Sequence, residues 1–225
     1  MNCDFIAPHY QTLEYVSFGR ALERRRFAFL SEAKASRKAI LCGGGDGRFL
    51  ARLLGANSAV CVDFVDSSRK MVELADRRIS AMGRSFRARV RFHVADLENF
   101  HPSQDEYDLI ATHFFLDCFT DSEVAALTVR LASWTAPDAQ WIVSEFQQPE
   151  GWFAGLWTRL VIRALYAAFR IAANLQVAHL PSYESALANA GFRPQRKELA
   201  LGGLLHSSLW RRLPSHLKDA DFERN

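Results

Sequence analysis

The sequence predicts an α/β fold, and three observations carry that prediction. Residues 38–50, KAILCGGGDGRFL, run a short apolar strand pattern into Gly43-Gly44-Gly45-Asp46-Gly47 and then straight into a helical apolar pattern at Phe49, Leu50, Leu53 and Leu54. A second apolar strand, 59–65, leads to an acid, Asp66. Beyond it, extended and helical patterns keep alternating until a helix, a glycine and two consecutive strands close the chain. With 225 residues, 49% of them apolar, the chain is long enough for one sizeable core and one such domain.

The glycine stretch reads as a ligand cradle. Glycine takes positive φ and lets a ligand approach the backbone, and the following helix offers unpaired N–H groups and a positive dipole end. Asp66, at the tip of the neighbouring strand about 20 residues on, is placed to accept hydrogen bonds from ribose hydroxyls. A dinucleotide-binding enzyme competes with this reading, but it calls for G-x-G-x-x-G, and the glycine spacing here is tighter.

GGGDGRFL followed by VDSSRKMVELA resembles the class I S-adenosylmethionine-dependent methyltransferases, whose usual pattern is a GxGxG loop and then D-x-S-x-x-M-(L/V)-x-x-A. The second motif is matched at Asp66, Ser68, Met71 and Ala75. The resemblance implies a Rossmann-like methyltransferase fold: a doubly wound, mostly parallel seven-stranded sheet with a helical cap insertion. It implies S-adenosyl-L-methionine as cofactor, held by Gly43, Gly45, Asp46, Gly47, Asp66, Ser67 and Met71. The family usually has an acid two residues before the first glycine, for the methionine ammonium; here that position is Leu41. Asp46 or a residue of the N-terminal segment is the candidate replacement.

In chain order, residues 1–35 read as an N-terminal helical segment over the cofactor site, with a short helix to about Ser17 and a longer one over 18–33. By resemblance Tyr10 covers the methionine end of the ligand; otherwise it is a packing tyrosine. The arginines of this segment (Arg20, Arg24, Arg25, Arg26) read as a solvated helix face. Residues 36–212 form the cofactor-binding domain. A helix over 67–82 stops at Gly83, and 88–94 alternates charged and apolar residues as a strand with one solvated side. It leads to Asp96 and Leu97, where the resemblance puts the adenine contact and the alternative is a helix N-cap.

The fourth strand, 107–112, delivers His113, Phe114 and Asp117 to the edge where an open parallel sheet binds ligands. His113 is a candidate catalytic base as well as a cofactor contact, because imidazole can take a proton from a phenol or enol near neutral pH; the alternative is a wall residue. Asp117 either orients His113 or belongs to the next turn, and with Phe114 it is a candidate substrate contact. Asp121-Ser122-Glu123 opens a helix that Pro137 ends, and 140–146 is the fifth strand. Near its end Glu145 is the second catalytic candidate or a surface carboxylate.

A long apolar helix over 151–175 follows, carrying Arg159, Arg163 and Arg170 on one face with Tyr166. It reads either as a basic amphipathic helix in peripheral contact with a membrane or as a cap packed on the domain, with Trp152, Trp157 and Tyr166 facing substrate. A helix from Pro181 to Gly191, antiparallel strands over 192–201 and 204–210, and a polar tail over 213–225 complete the chain.

A net charge of +3 does not indicate a nucleic-acid partner. Four scattered cysteines form no metal-ligand spacing, so no metal is expected, and they fit reduced thiols. The absence of a secretion signal and of a long uncharged apolar run predicts a cytoplasmic protein. The expected function is therefore methyl transfer from S-adenosylmethionine to a hydroxyl or carbon of a small hydrophobic, aromatic or quinone-like molecule. The alternatives are a nucleic-acid or protein methyltransferase, which usually carries Asn/Asp-Pro-Pro-aromatic where this chain has HFFLDCF, and a repurposed fold without methyl transfer.

Overall fold

The computed structural model describes residues 19–102, 106–147 and 181–213. Seven strands, β1 (Lys38–Cys42), β2 (Cys61–Asp66), β3 (Val90–Val94), β4 (Tyr107–His113), β5 (Thr135–Phe146), β6 (Phe192–Ala200) and β7 (Leu205–Arg212), form one sheet in the order β3-β2-β1-β4-β5-β7-β6. The first five are mutually parallel, and β7 runs antiparallel to both β5 and β6. The order reverses between β1 and β4, so their carboxyl ends flank the crevice where such sheets take ligands.

Period-two alternation sends each strand's residues to two separate cores. Leu41, Phe64, Leu109, Ala111 and Ile142 join Phe49, Leu53, Val72 and Ile79, from α2 (Arg48–Ala56) and α3 (Arg69–Met82), in one buried cluster. Ile40, Val65, Ile110, Trp141 and Val143 join Val124, Leu127, Leu131 and Leu187, from α5 (Asp121–Ser133) and α6 (Tyr183–Asn189), in the other. A short α4 (Arg84–Arg87) leads into β3. The helices start on capping side chains: Ser68 caps α3, and Thr120 with Glu123 forms a capping box on α5.

Two boundaries differ most from the sequence expectation. The helix expected over 18–33 is only α1 (Ala21–Arg26), followed by turns and a 3-10 turn at Glu32–Ala35. Phe27 and Phe29 both pack into the first core, and a continuous helix cannot put residues two apart on one face. Strand β5 begins at Thr135 rather than Gln140, because Asp138 takes φ 65° in a register shift against β4 instead of ending the strand. Tyr10, Trp152, Trp157 and Tyr166, the helices expected before Ser17 and over 151–175, and the tail beyond Leu213 lie outside the described residues.

Candidate functional site

The loop after β1 is fixed by its own backbone and by the next strand. Gly43 N–H donates to Val65 O at 2.9 Å, and Gly45 N–H donates to Asp66 Oδ2 at 3.1 Å. Asp66 Oδ1 accepts Ser68 N–H at 2.9 Å, so one carboxylate joins the loop to the start of α3. Gly43, Gly45 and Gly47 all hold positive φ in this loop. Gly47 has φ 78°, and a Cβ there would lie 2.7 Å from Ala75 Cβ on α3. Gly45 has φ 58°, and a Cβ there would meet nothing within 4 Å, so its backbone borders open space.

That open space is a cleft lined by Arg26, Gly43, Gly44, Gly45, Asp46, Phe49 and His113. Gly43, Gly45, Asp46 and His113 were expected there, and Arg26 was not. The arginine run read as a solvated face, yet Arg26 is 7% exposed, with its guanidinium 5.8 Å from the Phe114 ring centroid. The signal available in the sequence was slight: Arg26 directly precedes Phe27, at the point where the helix gives way to core-seeking aromatics.

Asp46 is buried between two guanidinium groups, accepting from Arg48 Nε at 2.9 Å and Arg78 Nη2 at 3.0 Å, while Arg78 Nε also donates to its carbonyl at 2.9 Å. Its carboxylate therefore clamps the loop to α3 and is already neutralised, which disfavours the expected role toward a ligand ammonium. Leu41 is wholly core. Met71 is buried, its N–H donating to the Ser68 cap; Ser67 is half-buried beside Asp66. Asp96 is exposed just beyond β3, which Ala95 N–H joins to Asp66 O at 3.1 Å, and Leu97 packs into the second core.

His113 ends β4 on the cleft side. Its ring lies 4.4 Å from that of Phe49, and Nδ1 is 3.0 Å from Ser144 Oγ. Its Nε2 is buried with no hydrogen-bond partner among the described residues. Burial, and then the charge of Arg26, hold the imidazole well below its ordinary pKa, so it is neutral near pH 7.

The other two polar candidates face away from this cleft. Glu145 is 1% exposed rather than a surface carboxylate, and its Oε1 accepts the N–H groups of Phe115 at 3.0 Å and Leu116 at 2.8 Å. Asp117 lies in the Leu116–Cys118 turn against Glu145, so Ser144, not Asp117, orients His113. Phe114, at φ 54°, packs tilted against Phe146 with ring centroids 5.3 Å apart. Among the described residues no cluster of three or more His, Cys, Asp or Glu could hold a metal, and no helix is long and apolar enough to cross a membrane.

Residues 40–138 match a family model described as a methyltransferase domain. No curated protein sequence matches the chain. Among solved structures, the chain is similar to the S-adenosylmethionine-dependent methyltransferase SibL, with 19% identity and a TM-score of 0.63 over 91% of this chain and 58% of that one. It is similar to the N-methyltransferase NodS from Bradyrhizobium japonicum WM9 in complex with S-adenosyl-L-homocysteine, with 13% identity and a TM-score of 0.63 over 90% and 97%. The mitomycin 7-O-methyltransferase MmcR gives 16% identity and a TM-score of 0.60 over 94% and 61%. The chain thus spans about three fifths of SibL and MmcR and nearly all of NodS.

Proposed function

We propose, for a chain that carries a class I S-adenosylmethionine-dependent methyltransferase domain, that it methylates a hydroxyl or carbon of a small hydrophobic, aromatic or quinone-like molecule, with His113 as base. One observation carries this reading: His113, whose Nε2 has no hydrogen-bond partner among the described residues, lines the same cleft as the left-handed glycine loop that Asp66 holds. When bound, the cofactor supplies an electrophilic methyl group. The glycine loop and Asp66 would hold its ribose side, Asp96 and Leu97 its base. Arg26 is the buried cation suited to its carboxylate, an anchor in place of the acid missing at Leu41. Positioning and exclusion of water then supply most of the rate.

The proton chemistry follows from a hydroxyl network. Ser207 Oγ donates to Arg25 O at 2.7 Å and Ser144 Oγ donates to the same carbonyl at 3.1 Å. With its proton so used, Ser144 Oγ accepts from His113 Nδ1–H, which leaves Nε2 as a lone pair. The ring is thereby held neutral and oriented, ready to take a proton from the acceptor as the methyl group arrives.

Titration calorimetry with S-adenosylhomocysteine tests the cofactor half of the proposal. Asp66→Ala should weaken binding by about 1.5–3 kcal/mol, as for a lost hydrogen bond to a charged group. Tight binding of NAD with none of S-adenosylhomocysteine would sink it. Ser144→Ala should leave cofactor affinity in place and slow turnover by up to about tenfold, the cost of one orienting hydrogen bond. Nitrogen-15 spectra should then show His113 as a mixture of tautomers; a parent-like single tautomer would dissociate Ser144 from the mechanism.

A further inference from the structure

On the α5/α6 side of the sheet, away from the glycine-loop cleft, three buried polar atoms of one strand pair lack hydrogen-bond partners among the described residues: Glu145 Oε2, Gln147 Oε1 and His206 Nδ1. Glu145 and His206 are each 1% exposed and stand directly opposite each other in the β5–β7 register. Gln147 continues that ladder, its N–H donating to Leu204 O at 2.9 Å, and lies two residues from Glu145 on the same face. Buried polar groups in folded proteins are nearly always satisfied. Three bare ones at adjoining positions point to a missing ligand rather than to three separate defects.

The surroundings select its chemistry. Glu145 Oε1 is saturated by the Phe115 and Leu116 N–H groups, so Oε2 alone faces the site. Burial and then the neighbouring Asp117 push Glu145 well above the usual carboxylate range, and burial raises Asp117 to about 6. Neither acid is ion-paired to a described cation. The other groups facing them are neutral or engaged. Burial drives His206 down to about 4, with Nε2 on Tyr183 Oη, and the Lys197 ammonium of β6 is taken by Glu184 at 2.8 Å. Tyr183 Oη donates to Glu184 Oε1 at 3.4 Å and so accepts Nε2–H, which leaves His206 Nδ1 a lone pair; once Glu145 ionises, all three bare atoms accept. An alcohol brings one donor and no charge. An ammonium brings three donors and the countercharge that the acid pair lacks.

We propose that Glu145, Gln147 and His206, with Asp117 beside them, form a subsite for the protonated amino group of a small organic amine. The subsite lies on the other face of the sheet from the glycine-loop cleft and does not rest on the functional reading above. The test is titration calorimetry on the full chain with 2-phenylethylamine, tryptamine and octylamine, each against the corresponding alcohol, at pH 7 in two buffers of different ionisation heat. S-adenosylhomocysteine is titrated into the same samples. At least one amine should bind about 10- to 100-fold tighter than its alcohol, the range of a charge-assisted hydrogen bond. Binding should release up to about one proton as the acid pair ionises.

Glu145→Gln should erase both the preference and the proton release while the protein still binds S-adenosylhomocysteine. Asp117→Asn should reduce both, and it decides the matter should Glu145→Gln fail to fold. Equal affinity for amines and alcohols, no amine binding, or an undiminished preference in these variants overturns the subsite. Amine preference without cofactor binding would instead overturn the methyl-transfer reading and leave the subsite standing.

Discussion

Replacing His113 with alanine should leave S-adenosylhomocysteine affinity within a few-fold of the parent and lower methyl turnover by about 10²–10⁴-fold, the usual range for a lost general base. Nothing else described in the cleft can take a proton there: Asp46 is held by Arg48 and Arg78, and Arg26 is a cation. His113→Asn separates the roles of the ring, since an amide can keep a polar contact to Ser144 yet cannot act as a base; it should be as slow as the alanine variant.

The pH dependence has a definite sign. Burial and then Arg26 lower the His113 pKa, so the active neutral form persists as pH falls well below 6.5, and the acidic limb of kcat/KM should lie below the range of an ordinary histidine. Arg26→Gln removes the second cause and should move that limb upward. The same shift makes the unfolded chain the better proton acceptor, so this group costs stability once pH drops below the ordinary value of 6.5. A His113→Ala enzyme that keeps most of the parent rate and the same acidic limb would reduce His113 to a wall of the cleft.

What could be read in the sequence was whatever depends on local period and local turn chemistry. The cores of the seven strands and the Gly43–Gly45–Gly47 spacing are written in neighbouring residues, and each stands close to where its pattern put it. Burial of polar side chains at element ends was not legible, because it depends on which distant element covers them. Arg26 is enclosed by the β1 loop and the end of β4, and Glu145 by the Phe115–Leu116 backbone. The alternation along β5 does contain one further fact: Ser144 and Glu145 must face opposite sides of the sheet. His113 and Glu145, grouped as two catalytic candidates, are therefore separated by the sheet itself, one bonded through Ser144 on the cleft side and the other paired with Asp117 behind it.

Asp63→Ala should be among the most destabilising substitutions in the molecule, at about 3–5 kcal/mol, the cost of breaking a buried charge network on one side. Asp63 is 2% exposed on β2, and its two oxygens accept from Arg91 Nη2 at 2.9 Å, His93 Nε2 at 2.7 Å and Tyr107 Oη at 2.8 Å. One carboxylate thus ties β3 and β4 to β2, and its removal strands the buried Tyr107 hydroxyl. For a chain of this size the loss corresponds to a fall in Tm of about 6–20 °C. Burial pushes the Asp63 pKa up, but the hydrogen bonds from His93, Arg91 and Tyr107 outweigh it and bring it from 3.8 to about 2. A lowered carboxylate pKa stabilises the fold above pH 3.8 and ceases to do so as pH falls toward 2, a contribution on the order of 2 kcal/mol. Asp117 and Glu145 have the opposite sign: raised pKa values favour the fold at low pH and lose that effect as pH climbs, through about 6 for Asp117. Thermal melts from pH 2 to 8 should therefore be flatter on the acid side in Asp63→Asn and flatter on the neutral side in Glu145→Gln. An Asp63→Ala protein melting within about 2 °C of the parent, less than 1 kcal/mol by the same scaling, would mean that the network contributes no net stability.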